Sequence, residues 1–291
     1  KAPVSYKEML KKELEYKDSL HFKKDEAYWQ GQFQPGNEPI YTGINGYEPL
    51  EKARKKHKNP DYRSAATVSL FSKGAHEIQL IPKDMVDSMR KYSSEKRVPI
   101  QTMVMLAYRS YLSKVNRREK DVMYFTTIAR RATLAEKNSG GSRVQFMPFR
   151  TILEENMTFQ GALEALSERQ SSIYKHANYD SLKCIALFNS VYGKKQTYGY
   201  CSGSLTFQPV PLKGPNGVKI HTKWYGNGAA PSNFYITIMD DDGSGALRGY
   251  YEYQTKVVSR ERILDYHEYM LRLIDTGVRN PDITIGELLD I

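Results

Sequence analysis

Cysteine is nearly missing: Cys184 and Cys201 are the only two in 291 residues. They have neither metal-ligand spacing nor the density of a disulfide framework, which fits a reducing compartment such as the cytoplasm. No run of ~18 apolar residues exists to span a membrane, and Lys1–Met9 lacks the apolar stretch of a secretory signal. Gly140-Gly141 is not followed by the Lys-Ser/Thr of a phosphate-binding loop, and there is no Gly-x-Ser-x-Gly elbow. His21, His57, His76, His176, His221 and His267 form no H-x-x-x-H pair, so no metal site is expected. Asp240-Asp241-Asp242-Gly243-Ser244-Gly245 has Tyr251 where a calcium loop needs its closing Glu, and reads as a hairpin turn. Asn156-Met157-Thr158 is a glycosylation triplet of the kind chance supplies. No complete active site is visible.

What is present is a soluble composition, 40% hydrophobic and 26% charged, enough for one sizeable core. The net charge of +10 raises the question of nucleic acid. The densest basic run, Lys52–Lys58 between Pro49 and Pro60, carries no recognised nucleic-acid motif. It reads as a solvated, mobile loop, and an acidic protein partner would use the same surface. Neither nucleic acid nor membrane is an expected partner.

Hydrophobic periodicity predicts helices at Tyr6–Lys17, Lys24–Phe33, Pro82–Tyr92, Pro99–Val115 and Thr158–His176. A last helix runs from a Ser259 cap to Thr276, with Gly277 as its left-handed stop. Strands are expected at Thr67–Phe71 and Ala75–Ile81 as a pair, at Asp121–Ala129 and Arg143–Leu153, and at Ser204–Val210 and Val218–Trp224. Phe234–Met239 and Leu247–Tyr253 form a hairpin. Residues 34–64 read as a long surface connection. The sum is α/β, a mixed sheet packed by helices. The chain divides into leading helices and their connection (1–64), core sheet and helices (65–192), a Gly/Pro/Tyr-rich arm (193–232) and a closing hairpin, helix and tail (233–291).

Several short segments, in order, carry more information than any one alone. Ser5–Leu10 followed by Asp25-Glu26-Ala27-Tyr28-Trp29 is similar to the Tyr-x-Asp-Phe helix and downstream Tyr-Trp of nonribosomal peptide synthetase condensation domains. Val98-Pro99-Ile100 through Leu112, then Asp121-Val122, resembles the next helix and strand of that family. Phe125–Arg131 resembles the segment ending in the family's invariant arginine, here Arg131. Gly141 through Phe146 and Arg150 resembles Ile-Gly-x-Phe-Val-Asn-Thr-x-x-x-Arg, with Gln145 in place of Asn and Phe146 in place of Thr. His176-Ala177-Asn178-Tyr179 resembles His-Gln-Asp-x-Pro-Phe without its Pro-Phe. Leu247-x-Gly249, Glu252-Tyr253 and Asn280-Pro281-x-x-Thr284-Ile285 resemble the closing strand and tail.

The resemblance implies the C-terminal lobe of a two-lobed, chloramphenicol-acetyltransferase-like fold. The family's catalytic His-His-x-x-x-Asp-Gly is not in this sequence, so no catalytic residue is assigned and the chain alone is expected to be inactive. Arg131 is implied as a structural support that pairs with the Asp of that motif. Gly141, Gln145, Phe146, Met147 and Phe149 are implied as tunnel-lining candidates. The implied activity is bacterial: amide formation between acyl groups carried as thioesters on phosphopantetheine, with no cofactor bound directly. Implied partners are the N-terminal condensation lobe, donor and acceptor peptidyl carrier proteins and an adjoining adenylation domain. The isolated lobe is expected to self-associate through the Val144–Phe149 segment. Two alternatives stay open: an acyltransferase acting on a free alcohol or amine, and a non-catalytic carrier-docking module.

Overall fold

The computed structural model describes residues 4–67, 69, 72–193, 198–201, 203–208, 214, 216, 218, 220 and 222–291. The chain runs α1 (Tyr6–Lys17), α2 (Leu20–Gln32), α3 (Glu48–His57), β1 (Ala65–Ala66), β2 (Gly74–Ile81), α4 (Lys83–Lys96), α5 (Ile100–Val115), β3 (Asp121–Ile128) and α6 (Leu134–Lys137). It continues β4 (Gln145–Ile152), α7 (Phe159–Lys175), α8 (Ser181–Val191), β5 (Tyr198–Gly199), β6 (Gly203–Gln208), β7 (Phe234–Met239), β8 (Leu247–Gln254), α9 (Arg260–Arg279) and α10 (Ile285–Asp290).

Six strands form one mixed sheet in the order β2-β8-β7-β6-β3-β4. The β6 strand lies parallel to both β3 and β7, and the outer pairs are antiparallel. Helix α5 is the centre of the core: every residue from Thr102 to Ser113 is buried. A helix buried on all sides needs neighbours all round, and α5 packs on β3, α7, α9 and α10. A small second cluster of Ile40, Tyr41, Leu50, Ala53 and Ala65 sits under α3 and the β1–β5 pair.

The periodic elements fall close to their expected places, α5 and the β7–β8 hairpin most closely. Others differ. The 34–64 connection contains α3, so the basic run is helical rather than a loop. Pro49 sits in its first turn, Glu48 and Glu51 lie at its start, and Arg54, Lys55, Lys56 and His57 at its end, a distribution that suits the helix dipole. Strand β2 pairs with β8 along its whole length rather than with its sequence neighbour. Of Thr67–Phe71, residues 68, 70 and 71 lie outside the described residues, as do 219 and 221 of the segment expected at 218–224; described residues 222–224 are not strand. Helix α9 passes through Gly277, which is buried in helical conformation. Helices α6, α8 and α10 add to those expected.

The 193–232 segment is not an arm throughout: β6 is a central strand between β3 and β7 with Leu205 fully buried, β5 pairs with β1, and the described residues 222–230 lie back on the sheet. Thr222 donates its N–H to Asp241 O at 3.1 Å, the Trp224 ring is 6.1 Å from that of Tyr250, and Ala229 bridges to Lys73. Asp240–Gly245 forms the β7–β8 turn. Its Asp240 Oδ1 accepts from Gly243 N at 2.7 Å, and Arg248 pairs with Asp241 and Asp242. Hydrogen bonds from Ser244, with the Arg248 charge, bring the Asp242 pKa down to about 2. No cluster of three metal-ligating side chains occurs among the described residues, and no described helix is long and apolar enough to cross a membrane. Cys184 and Cys201 are free and buried.

Candidate functional site

Side chains alternate across a strand, and that alternation sorts the candidates on β4. Met147 lies opposite Thr126 and Phe149 opposite Tyr124. Both point to the helix side and are 0% exposed, with Phe149 against the Tyr124 ring at 5.3 Å. They are core residues and do not face the open side of the sheet. Phe146, opposite Thr127, is 42% exposed and its ring lies 6.1 Å from that of Tyr235. On the same face Thr206 Oγ1 donates to Thr127 Oγ1 at 2.6 Å and so accepts from Tyr235 OH, also at 2.6 Å. This run of hydroxyls beside an aromatic ring spans β3, β4, β6 and β7, with Phe146 exposed and Thr206 buried. No sequence signal singles out Thr127, Thr206 and Tyr235, since only the strand pairing brings them together.

At the end of β3 and β4 the connecting loop gathers the other candidates. Arg131 Nη1 donates to Glu136 O (2.5 Å) and Ser139 O (2.8 Å), and its Nη2 to Gly141 O (2.7 Å). Arg131 is therefore a clamp on backbone carbonyls of its own loop, with no carboxylate partner among the described residues. Gly141 has φ +85°, and a Cβ there would stand 2.5 Å from Tyr6 Cε2, so glycine serves both the turn and the seat of α1. Gln145 Oε1 accepts from Ser181 N at 2.6 Å, tying β4 to the first turn of α8.

The buried charges of this loop are Arg130 and Arg143, whose side chains are 9% and 8% exposed. Each donates its Nε to the other's backbone carbonyl at 3.0 Å. Glu13 of α1 takes both guanidinium groups, and Glu136 takes Arg143 at 2.9 Å. Burial pushes the Glu136 carboxyl up, but hydrogen bonds from Thr133 and the Arg143 charge outweigh it and hold the pKa low. Two adjoining cavities of about 190 and 350 Å³ share Glu13, Tyr16, Arg130, Arg143 and Asn178 as lining. Behind them Asp25, fully buried, accepts from Tyr16 OH at 2.6 Å and meets His176 Nδ1 at 2.8 Å. Burial, then this hydrogen bond, raises the Tyr16 pKa, so the phenol stays neutral. Tyr28 stacks on His176 at 4.0 Å, and Trp29 Nε1 donates to His176 O. His176 thereby holds α2 to the α7–α8 turn.

The Condensation domain family model matches residues 1–290. A plipastatin synthase of Bacillus subtilis (strain 168) is 21% identical over 285 residues, which cover 98% of this chain and 10% of that protein. The first condensation domain of the calcium-dependent antibiotic synthetase superposes with a TM-score of 0.67 at 15% identity, over 96% of this chain and 56% of that one. VibH, a nonribosomal peptide synthetase condensation enzyme, superposes with a TM-score of 0.69 at 14% identity, over 99% of this chain and 62% of that one. The mixed six-stranded sheet packed by helices is thus the architecture of solved condensation domains, and this chain spans little more than half of them. By its match over residues 1–290, the chain belongs to the condensation domain family.

Proposed function

We propose that this chain is the C-terminal lobe of a nonribosomal peptide synthetase condensation domain and lines one wall of its substrate tunnel. In that reaction an amine on an acceptor carrier attacks the thioester carbonyl of an acyl group on a donor carrier. The tetrahedral intermediate collapses, an amide forms, the donor's phosphopantetheine thiol leaves, and the amine proton passes to a base. The base would be a histidine of the N-terminal lobe. This chain's share is to position the substrates and exclude water. The observation that carries the reading is the sheet face on which exposed Phe146 lies beside Tyr235 and the linked Thr127 and Thr206 hydroxyls, in a chain matched to the family over residues 1–290.

In this reading the N-terminal lobe packs over that face, carrier proteins dock at the tunnel mouths, and an adenylation domain adjoins in the same bacterial, cytoplasmic assembly. Arg131 sets the loop that meets the second lobe. The lobe alone, its open face uncovered, self-associates. The test is amide formation by the full-length protein supplied with loaded donor and acceptor carriers, followed by mass spectrometry. Product is expected with both lobes and none with residues 1–291 alone. Transfer to a free amine with no acceptor carrier would select the free-acceptor acyltransferase. Carrier binding without product would select the docking module.

A further inference from the structure

At the edge of the sheet, β4 shares a groove of about 250 Å³ with the end of α2 and one face of α7. Its apolar lining is Phe33, Met123, Pro148 and Ile152; Phe33 and Met123 are buried and Ile152 is 53% exposed. Two guanidinium groups, Arg150 and Arg169, stand in the same wall. Arg150 is fully engaged: Nε and Nη2 grip Asp121 at 2.7 and 2.6 Å, and Nη1 donates to Asn37 O at 2.8 Å. Arg169 is not. Its Nη1 donates to Gln32 Oε1 (2.6 Å) and Tyr28 OH (3.1 Å), and its Nε to Arg150 O (3.2 Å). Its Nη2 has no hydrogen-bond partner, and no carboxylate pairs with it, among the described residues.

We infer that this groove binds a small monocarboxylate with an apolar body, its carboxylate on Arg169 Nη2 and its chain along Phe33, Met123 and Ile152. Three hydrogen bonds already fix the Arg169 fork, so little side-chain freedom remains to be lost on binding. Burial, with the Arg150 charge adding to it, disfavours the Arg169 cation, and an incoming anion relieves both effects. One free guanidinium edge suits a single negative charge rather than a phosphate dianion. The apolar lining asks for an aliphatic or aromatic body, and the volume, just under the usual range for ligand pockets, keeps it short. The inference stands apart from the amide-forming reading.

The experiment titrates the protein, carrying ¹³C-labelled Met and Ile methyl groups, with hexanoate, hexanol and inorganic phosphate, following Met123 and Ile152 by NMR. Hexanoate is expected to give a saturable shift at both methyls, and hexanol and phosphate to bind at least about tenfold more weakly, because each lacks one half of the recognition. Arg169→Gln is expected to weaken hexanoate by about the same factor, while Arg169→Lys, which keeps the charge and protects folding, retains most of it. Equal shifts from hexanoate and hexanol would reduce the groove to an apolar patch and overturn the inference. So would the absence of saturation by hexanoate, or unchanged affinity in a folded Arg169→Gln protein.

Discussion

Gly277 of α9 lies against the face of Phe159, the first residue of α7, and a Cβ on Gly277 would overlap the ring carbons. The ring is backed by Tyr92 at 5.9 Å in an edge-on contact, so it has nowhere to retreat. The two helices approach this closely because position 277 has no side chain.

Gly277→Ala is therefore expected to destabilise the protein by about 1–3 kcal/mol, as overpacking does, although alanine is the better helix former. Urea denaturation checks it. Combining Gly277→Ala with Phe159→Leu should cost less than the sum of the two changes, since the smaller side chain vacates the overlap.

Arg130→Ala should cost more than Arg131→Ala, the reverse of the order implied by the family arginine. Removing Arg130 leaves Glu13 facing Arg143 alone and removes the Nε donation to Arg143 O, while Arg143 Nε keeps its acceptor on the residue-130 carbonyl. About 2–4 kcal/mol is expected, below the full value for a buried pair because Glu13 is 35% exposed. Arg131→Ala frees three carbonyls that water can reach in part, and about 1 kcal/mol should be lost. Equal midpoints in denaturant would contradict this ordering.

The two β4 candidates on opposite faces should separate cleanly. Met147→Ala is expected to lose about 2–5 kcal/mol of stability by opening a cavity. Phe146→Ala should stay within about 0.5–1 kcal/mol of the parent in stability, and should lower amide formation in the full-length protein. Parallel thermal melts and turnover assays would show the split.

His267 supplies the pH dependence that can be signed. Its Nε2 faces Leu80 O at 3.1 Å and must carry the proton, so Nδ1 accepts from Tyr251 OH at 2.6 Å and the ring is neutral. Burial is the larger influence and lowers its pKa from 6.5. The unfolded chain then takes up a proton that the folded one refuses, and stability is lost as pH falls below the unfolded value. Between about pH 7.5 and pH 5.5 the parent should lose more stability than His267→Gln, as measured by denaturation at each pH.

Regular apolar spacing revealed α5 and α7, and strand-like runs revealed β3, β4, β7 and β8, because each signal is local. Helix α3 was legible too, in Pro49, the early acids and the late bases, but the Gly- and Pro-rich sequence around it pointed to a loop. Gly277 misled for a comparable reason: glycine ends helices often, and only the approach of α7 explains it inside one. The site was less visible. Glu13 meets Arg130 across 117 positions, and Thr127, Thr206 and Tyr235 come from three strands, so no spacing rule could join them. Met147 and Phe146 are adjacent in sequence and opposite in space, a distinction that needed the register of β4.

The pairing of β2 with β8 sets a timetable for synthesis. The early strand, residues 74–81, must wait for residues 247–254 before its backbone groups meet their sheet partner. Until then a growing chain displays an unpaired edge and the half-covered α5, the kind of surface that aggregates or engages chaperones. The most non-local pairing is also among the longest ladders, so closing it should coincide with the cooperative step of folding. A ribosome stalled before β8 emerges would hold a chain still sensitive to protease, and one stalled after α9 a resistant one.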